Sequence, residues 1–297
     1  MRKVLQSLRF ILSHPLNRGR GGGVLLRWLR WQCGSRILPG PVVISLVDDL
    51  QMVVRPGMTG ATGNLYCGLH EYEDMAFLLH GLEEGDHFVD VGANVGSYTL
   101  LAVAAGATVD AMEPVPETFA HLATNVRLND LARRVTLQRV AAGRERGTVR
   151  FTANLDTTNH VLGSEEYGES AIEVPIVSLD EVLEGRVPTL LKIDVEGLET
   201  EVIAGAESTL QHPNLLAVIM ELNGSGKRYG YDERALHQQM LDRGFEPHRY
   251  HPATRELSGS REDRGTTGNC LYLREASEWV RRVNKGRTFQ LGTGAVV

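Results

Sequence analysis

One stretch of the sequence combines a carboxylate with closely spaced glycines at the end of an apolar run. It has the pattern Asp-x-Gly-x-Asn-x-Gly, in which Asp90 precedes Gly92, Ala93, Asn94 and Gly96. Glycine adopts positive φ angles freely, and Asn tolerates them better than most other residues, so the backbone can turn tightly and approach a ligand here. We expect these five residues to bind a cofactor.

The carboxylate of Asp90 indicates which cofactor the loop binds. Loops for nicotinamide dinucleotides follow the pattern Gly-x-Gly-x-x-Gly and place a pyrophosphate at the N-terminus of the next helix. A carboxylate at the strand end would repel that pyrophosphate and attract a cationic amine. S-adenosylmethionine carries an ammonium and a sulfonium but no phosphate, so we predict this cofactor. Glu113 follows Gly92 by about 20 residues, the spacing of an acid that binds ribose hydroxyls.

Further polar residues follow two later apolar runs that we expect to be strands. Asp194 and Glu196 follow one run, and Glu221 and Asn223 follow the next. Methyl transfer from a sulfonium is an in-line displacement, so the enzyme mainly has to align the two reactants. A hydroxyl acceptor also needs a base for its proton. We predict that Asp194 or Glu196 is this base, with its pKa raised by burial.

Two other interpretations of these residues stay open. Asp194, Glu221 and Asn223 could supply oxygen ligands to Mg²⁺, which would lower the pKa of the acceptor, although we expect no metal. Alternatively the charges are structural: segment 196–199 caps the helix that follows it, and Lys192 pairs with a neighbouring carboxylate.

A third catalytic candidate is His160, which lies in the polar stretch 154–170 between two short apolar runs. A loop of this length and polarity is either a lid over the acceptor or a disordered insertion. Histidine accepts protons near neutral pH, which makes His160 a candidate base. The alternative is an inert surface histidine.

Short apolar runs that alternate with helical patterns predict an α/β fold with a doubly wound, mostly parallel sheet. Seven runs are strand candidates: 87–91, 108–112, 135–140, 189–193, 215–220, 246–250 and 270–273. The last two have no helical pattern between them, and strands joined without a crossover helix should be antiparallel. We therefore predict seven strands, of which the last runs against the others.

Several of these segments resemble the FkbM family of S-adenosylmethionine-dependent methyltransferases. They are 88–99, 112–114, 178–180, 205–206 and, most specifically, 191–199, which contains Lys-Ile-Asp-Val-Glu-Gly. The resemblance covers about residues 65–275. It implies a class I methyltransferase (Rossmann-like) fold and O-methylation of a hydroxyl on a sugar, glycan or secondary metabolite.

Two other classes of function stay open. A nicotinamide-dependent oxidoreductase or epimerase would also use a Rossmann-like fold, but Asp90 and the missing third glycine of the loop argue against it. A non-catalytic binding module would keep the fold and transfer nothing.

The charge is distributed unevenly along the chain. The 297 residues contain 31 Lys and Arg against 37 Asp and Glu, a net charge of -6, which argues against a nucleic-acid partner. Residues 1–47, by contrast, contain no acidic residue. They contain eight basic ones: Arg2, Lys3, Arg9, Arg18, Arg20, Arg27, Arg30 and Arg36. We predict a basic extension at 1–60, with two short helices and a hairpin, a methyltransferase domain at 65–275, and a tail at 276–297 that is mobile from Lys285.

The basic extension has two interpretations: its amphipathic helices dock on the domain, or they contact anionic lipid at a membrane surface. Apolar runs are much shorter than the ~20 residues of a membrane-spanning helix. The three cysteines have no C-x-x-C spacing, so neither a disulfide framework nor a zinc site is encoded. We therefore expect a cytoplasmic protein, peripheral at the membrane if the extension binds lipid.

Overall fold

The computed structural model of the protein describes residues 2–152, 160–161, 171–259 and 268–297. Within these ranges an eight-stranded sheet forms the centre of the fold. Its strands, in spatial order, are β12 (Glu256–Gly259), β11 (Glu246–His251), β13 (Asn269–Leu273), β10 (Ala217–Glu221), β9 (Leu190–Ile193), β3 (His87–Val91), β4 (Thr108–Met112) and β5 (Val135–Gln138).

The direction of the strands confirms the predicted topology. Strands β3, β4, β5, β9 and β10 pair in parallel, whereas β13 is antiparallel to both of its neighbours, β10 and β11. All seven predicted strands are in the sheet. The eighth, β12, forms an edge hairpin with β11 in the polar stretch between the last two predicted strands.

Helices cover both faces of the sheet. One face packs against α4 (Tyr72–Gly81), α5 (Ser97–Ala105), α6 (Pro116–Leu128) and α11 (Ala276–Lys285). The other packs against α7 (Leu179–Leu183), α8 (Glu199–Ala204), α9 (Glu207–Gln211) and α10 (Glu233–Asp242). Successive side chains of a strand point to opposite faces of the sheet. In β10, Ile219 is therefore buried on the face covered by α4, α5, α6 and α11, and Val218 is buried on the opposite face. Burial on both faces explains why the strands are continuous apolar runs.

Residues 199–211 form two short helices, α8 and α9, rather than one. Gly205 lies between them, and a Cβ atom at this position would be 1.9 Å from the carbonyl oxygen of Gly143. Gly143 belongs to a second, three-stranded sheet made of β6 (Ala141–Gly143), β7 (Gly147–Thr152) and β8 (Ala171–Ser178). The close approach of this sheet accounts for the glycine at the break.

The hairpin and the tail pack on the domain. Strands β1 (Val42–Val47) and β2 (Leu50–Val54) form the predicted hairpin, and Val53 N donates to Asn125 Oδ1 of α6 at 2.8 Å. Beyond α11, where we expected a mobile tail, Phe289 and Leu291 are buried in the same core as the hairpin. The predicted mobility of the tail is wrong because these apolar side chains pack into that hydrophobic core. The division into three segments stays a prediction.

The N-terminal helices dock on α3 (Thr59–Cys67). Ile11 of α1 (Arg2–Ser13) and Val24 of α2 (Gly21–Ile37) are buried in a small core with Tyr66 and Cys67. Asn17, between the two helices, donates from Nδ2 to the carbonyl oxygens of Ile11 (2.9 Å) and Tyr66 (3.2 Å). In the part of the chain that the structure describes, no helix has both the length and the apolar character needed to cross a membrane.

Candidate active site

A cavity of about 270 Å³ lies at the carboxyl ends of β3, β4, β9 and β10. This is the edge at which doubly wound sheets bind ligands. Most residues of the predicted cofactor site line it: Asp90, Gly92, Ala93, Asn94 and Glu113. The catalytic candidates Asp194 and Glu196 also line it, as does Glu221. The structure therefore brings these predicted residues around one space.

The loop after β3 turns through left-handed backbone conformations, as its sequence predicted. The φ angles of Gly92, Asn94 and Gly96 are 84°, 51° and 93°. A Cβ atom on Gly92 would lie 1.8 Å from the carbonyl oxygen of Asp194, and one on Gly96 would lie 2.6 Å from a methyl group of Leu122. These glycines are thus also required for packing against β9 and α6, and their contact with a ligand stays a prediction. Gly96 lies outside the described lining of the cavity.

Glu113 holds this loop in place. Its Oε2 atom accepts a hydrogen bond from the Asn94 backbone N at 3.1 Å, and its Oε1 atom accepts one from Val115 N at 2.9 Å. The side chain is buried, and this burial raises the pKa of Glu113 to about 7. Each carboxylate oxygen has a second lone pair, so Glu113 keeps acceptor capacity towards the cavity.

Asp90 offers an unused acceptor at the base of the cavity. Its Oδ2 atom accepts a hydrogen bond from the Thr99 hydroxyl at 2.7 Å, while its buried Oδ1 atom bonds to no described residue. Burial raises the pKa of Asp90, and the charge of Lys192 opposes this shift. A buried acceptor without a donor is unfavourable, so a cationic or hydrogen-bonding ligand would be stabilised here.

An ion pair between a buried ammonium and a partly buried carboxylate lies beside Asp90. The ammonium of Lys192 is 2.6 Å from Asp194 Oδ2 and 4.6 Å from the centre of the Tyr98 ring. Burial acts to lower the pKa of Lys192, but nearby carboxylates, Asp194 first among them, raise it above its ordinary value. For Asp194, burial acts to raise the pKa, whereas Lys192 lowers it below its ordinary value. Lys192 therefore has the neighbouring carboxylate that the structural interpretation expects.

Asp194, Glu196 and Glu221 form a trio whose nearest carboxylate oxygens lie within 4.8 Å of one another. Burial, followed by the charge of Asp194, raises the pKa of Glu196 to about 7 and that of Glu221 to about 9. Such an oxygen cluster suits a divalent cation. Asn223, the amide that we expected in a metal site, is exposed instead, and its Oδ1 accepts from Ser225 N at 2.9 Å. Glu196, rather than Asn223, is the third member of the oxygen cluster with Asp194 and Glu221.

Glu199 has the structural role that one interpretation gave to the segment 196–199. Its Oε1 atom accepts hydrogen bonds from Val195 N (3.2 Å) and Gly197 N (3.1 Å), and its side chain is 2% exposed. Glu196 itself has a φ angle of 55°. The loop that carries Glu196 is therefore held in a left-handed turn by a buried acid, while the Glu196 carboxylate lines the cavity.

His160 is buried and lies outside the described lining of the cavity. Its backbone N donates to Thr152 Oγ1 at 2.9 Å, at the end of β7. Most of the polar stretch around it, 153–159 and 162–170, lies outside the described residues, so the lid remains a prediction. His160 is therefore not among the described residues that line the cavity with Asp194 and Glu196.

An imidazole and a carboxyl group are among the lining groups that our sequence prediction missed. His70 and Glu71 lie between α3 and α4, and both line the cavity. The Nδ1 atom of His70 is buried without a described partner, and burial lowers the pKa of this histidine. Glu71 and Asp74 share the Nδ2 donor of Asn269, at 2.9 and 3.0 Å. These residues follow a helix rather than a strand, so no strand-end signal marks them.

Comparison with known families matches residues 90–247, more than half of the chain, to the methyltransferase FkbM domain. The chain belongs to the FkbM methyltransferase family. It is 32% identical over 153 residues to the hexuronic acid methyltransferase AglP of Haloferax volcanii, covering 50% of this chain and 61% of that protein. It is also 32% identical over 190 residues to the 31-O-demethyl-FK506 methyltransferase FkbM of Streptomyces tacrolimicus, covering 51% of this chain and 72% of that one. The chain thus spans less than two thirds of AglP.

A solved structure of an FkbM methyltransferase from Methylobacillus flagellatus is also similar. It has a TM-score of 0.46 and 17% identity, and the match covers 85% of this chain and 60% of that one. The FkbM domain of the present chain contains the cofactor loop, Glu113 and the trio. His70, Glu71 and the N-terminal helices precede it.

Proposed function

We propose that the protein transfers a methyl group from S-adenosylmethionine to a hydroxyl oxygen of a sugar, glycan or secondary metabolite. The observation that carries the proposal is the charge of the cavity at the carboxyl ends of the strands. Its described lining holds one ammonium, that of Lys192, and six carboxyl groups: Glu71, Asp90, Glu113, Asp194, Glu196 and Glu221. A cavity of this composition favours a cationic ligand over a phosphate-bearing one.

The residues present fit this cofactor. Asp90 has a buried oxygen that lacks a donor, and the carboxylate of Glu113 retains lone pairs for hydroxyl groups. Together with loop 92–96, these two acids would hold the cofactor. The cofactor would supply an electrophilic methyl group on its sulfonium. The remaining work of the chain is to orient the acceptor and to take up its proton.

Glu196 is the residue that we propose as the proton acceptor. Its pKa, raised to about 7, suits a base that works near neutral pH. Asp194 is a poorer base because Lys192 lowers its pKa and because its Oδ2 atom already accepts a hydrogen bond from that ammonium. We assign Asp194 to anchoring Lys192 within the cavity.

The names of the two relatives support an oxygen acceptor. One is named for a hexuronic acid, and the other for an O-demethyl compound. The nicotinamide-dependent alternative is less compatible with the site because the carboxyl group of Asp90 would lie where such a cofactor places its pyrophosphate.

Calorimetry with S-adenosylhomocysteine and with NAD⁺ tests the cofactor. We expect S-adenosylhomocysteine to bind and NAD⁺ not to bind. Asp90→Asn should weaken binding at least tenfold, and the exposed acid Glu117→Gln is the matched control that should leave it unchanged. Binding of NAD⁺ alone would overturn the proposal.

Transfer of a labelled methyl group tests the reaction. Incubation with labelled S-adenosylmethionine and a panel of sugars, glycans and polyketides should label an acceptor at oxygen. Cofactor binding without transfer to any acceptor in the panel or in a cell extract would favour a non-catalytic binding module and contradict the enzymatic proposal.

A further inference from the structure

Helix α2 presents a row of apolar side chains away from the protein. Leu26, Leu29 and Ile37 are 48%, 43% and 75% exposed, and Cys33 between them is also exposed. Their spacing of three, four and four residues places them along one side of a helix. Val24, on the side that packs on α3, is buried. The helix is therefore apolar on its outer side as well as on its docked side.

Helix α1 continues this apolar character. Leu5 and Leu12 lie seven residues apart, on the same side of the helix, and both are exposed. Single exposed leucines are ordinary on protein surfaces, but repeated ones on adjacent elements mark an interaction site.

The charged residues of these two helices have one sign. Residues 1–47 contain eight basic residues and no acidic one. Arg30 follows Leu29 on the outer side of α2, Arg36 precedes Ile37, and Arg9 of α1 is exposed. The partner of this surface must therefore accept apolar side chains and carry negative charge.

The N-terminal helices also lie beside the active-site cavity. The ring of Phe10 in α1 is 5.3 Å from the ring of His70, which lines the cavity. Helix α3, on which both helices dock, contributes Thr59, Gly60 and Ala61 to the same lining. A surface bound by α1 and α2 would be close to the cavity.

We propose that the outer sides of α1 and α2 bind the surface of an anionic phospholipid bilayer. A bilayer interface satisfies both requirements, since its headgroups attract arginines and its acyl boundary accepts leucines. The same surface of a second copy of this chain would accept the apolar side chains but would not supply negative charge, because two basic extensions would repel each other. This inference is independent of the proposed methyl transfer.

Co-sedimentation of the full chain with vesicles tests the proposal. We expect binding to vesicles of phosphatidylcholine with 30% phosphatidylglycerol at 50 mM salt, and at least tenfold weaker binding to phosphatidylcholine alone or at 500 mM salt. The double variant Leu26→Ser, Leu29→Ser should bind the anionic vesicles at least tenfold more weakly. The double variant Leu128→Ser, Val280→Ser changes two exposed apolar residues outside α1 and α2 and should bind like the wild type.

Folding is checked by thermal unfolding and by S-adenosylhomocysteine affinity, which the serine variants should retain. Absence of binding to anionic vesicles at low salt would overturn the proposal. Binding of the Leu26→Ser, Leu29→Ser variant to these vesicles as strong as that of the wild type would also overturn the proposal. Light scattering could instead show that the wild type is a dimer, that the variant is a monomer and that neither binds vesicles. This result would assign the exposed apolar side chains to self-association and would also overturn the proposal. None of these outcomes bears on methyl transfer, which is measured without vesicles.

Discussion

Replacing Lys192 by Met should expose the role of its ion pair with Asp194. Methionine has a similar length and leaves the Asp194 carboxylate in the cavity without its ammonium partner. At 2.6 Å, the attraction between the two charges is about 6 kcal/mol for an effective dielectric constant of 20. Desolvation offsets part of this, and removing one partner of a buried pair costs about 3–5 kcal/mol. Because the Asp194 side chain is 28% exposed, we expect a loss at the lower end of this range, about 3 kcal/mol, in the free energy of unfolding at pH 8.

The loss should depend on pH in a defined direction. Lys192 lowers the pKa of Asp194, and without it burial should raise this pKa above the unfolded value. A carboxyl group whose folded pKa is raised loses stability as pH rises from its unfolded pKa to its folded pKa. The deficit of Lys192→Met relative to the wild type should therefore grow between pH 5 and pH 8, by at most about 1.4 kcal/mol per pH unit.

Urea unfolding of five proteins at several pH values measures this effect: the wild type, Lys192→Met, Asp194→Asn, their double variant and a control. The Lys192→Met, Asp194→Asn double variant should recover about 2 kcal/mol or more at pH 8, because no buried charge is left unpaired. Lys227→Met, at an exposed lysine, is the control and should change stability by less than about 0.5 kcal/mol. A deficit that is constant with pH, or single effects that add within about 0.5 kcal/mol, would refute the reasoning.

Four further predictions concern the cavity. Glu196→Gln should lower methyl transfer roughly 10²–10⁴-fold with unchanged S-adenosylhomocysteine affinity, and the wild-type rate should rise as pH passes about 7, where Glu196 loses its proton. Burial raises the pKa of Glu113 to about 7, so the wild type should lose about 3 kcal/mol of stability through this group as pH rises from 4.5 to 7. In thermal unfolding, Glu113→Gln should lack this loss of stability with pH. Gly92→Ala should destabilise the protein by at least about 2 kcal/mol in urea unfolding and abolish cofactor binding, whereas Gly85→Ala, which has a similar φ angle but open space, should cost only about 1–2 kcal/mol. Activity should survive EDTA treatment, because an ammonium already holds the Asp194 carboxylate.

The sheet and the cofactor loop could be predicted because their signals are local. Strands β3 and β4 have the predicted bounds, since a strand buried on both faces must be apolar throughout and polar residues end it. The order of acids along the chain also located the cavity, because parallel strands bring their carboxyl ends to one edge.

What could not be predicted depends on contacts between distant segments. The break at Gly205 results from the approach of the Gly143 carbonyl oxygen, which no pattern in 199–210 encodes. The tail is ordered through Phe289 and Leu291, two apolar residues in a polar stretch whose partners lie in the N-terminal hairpin. His70 and Glu71 reach the cavity only because α3 and α4 pack beside the cofactor loop.

The division of work between Asp194 and Glu196 shows why a site needs its three-dimensional surroundings. The two acids are two residues apart and follow the same strand, so either could be the base on sequence grounds. Lys192 lies on the same strand, and its ammonium meets Asp194 Oδ2 at 2.6 Å, which lowers the pKa of that acid. The left-handed turn at Glu196 directs the chain away from the strand, and burial beside the Asp194 charge raises the pKa of Glu196. A base must be ionised at the working pH and still bind a proton strongly, and of the two acids only Glu196 meets both requirements near pH 7.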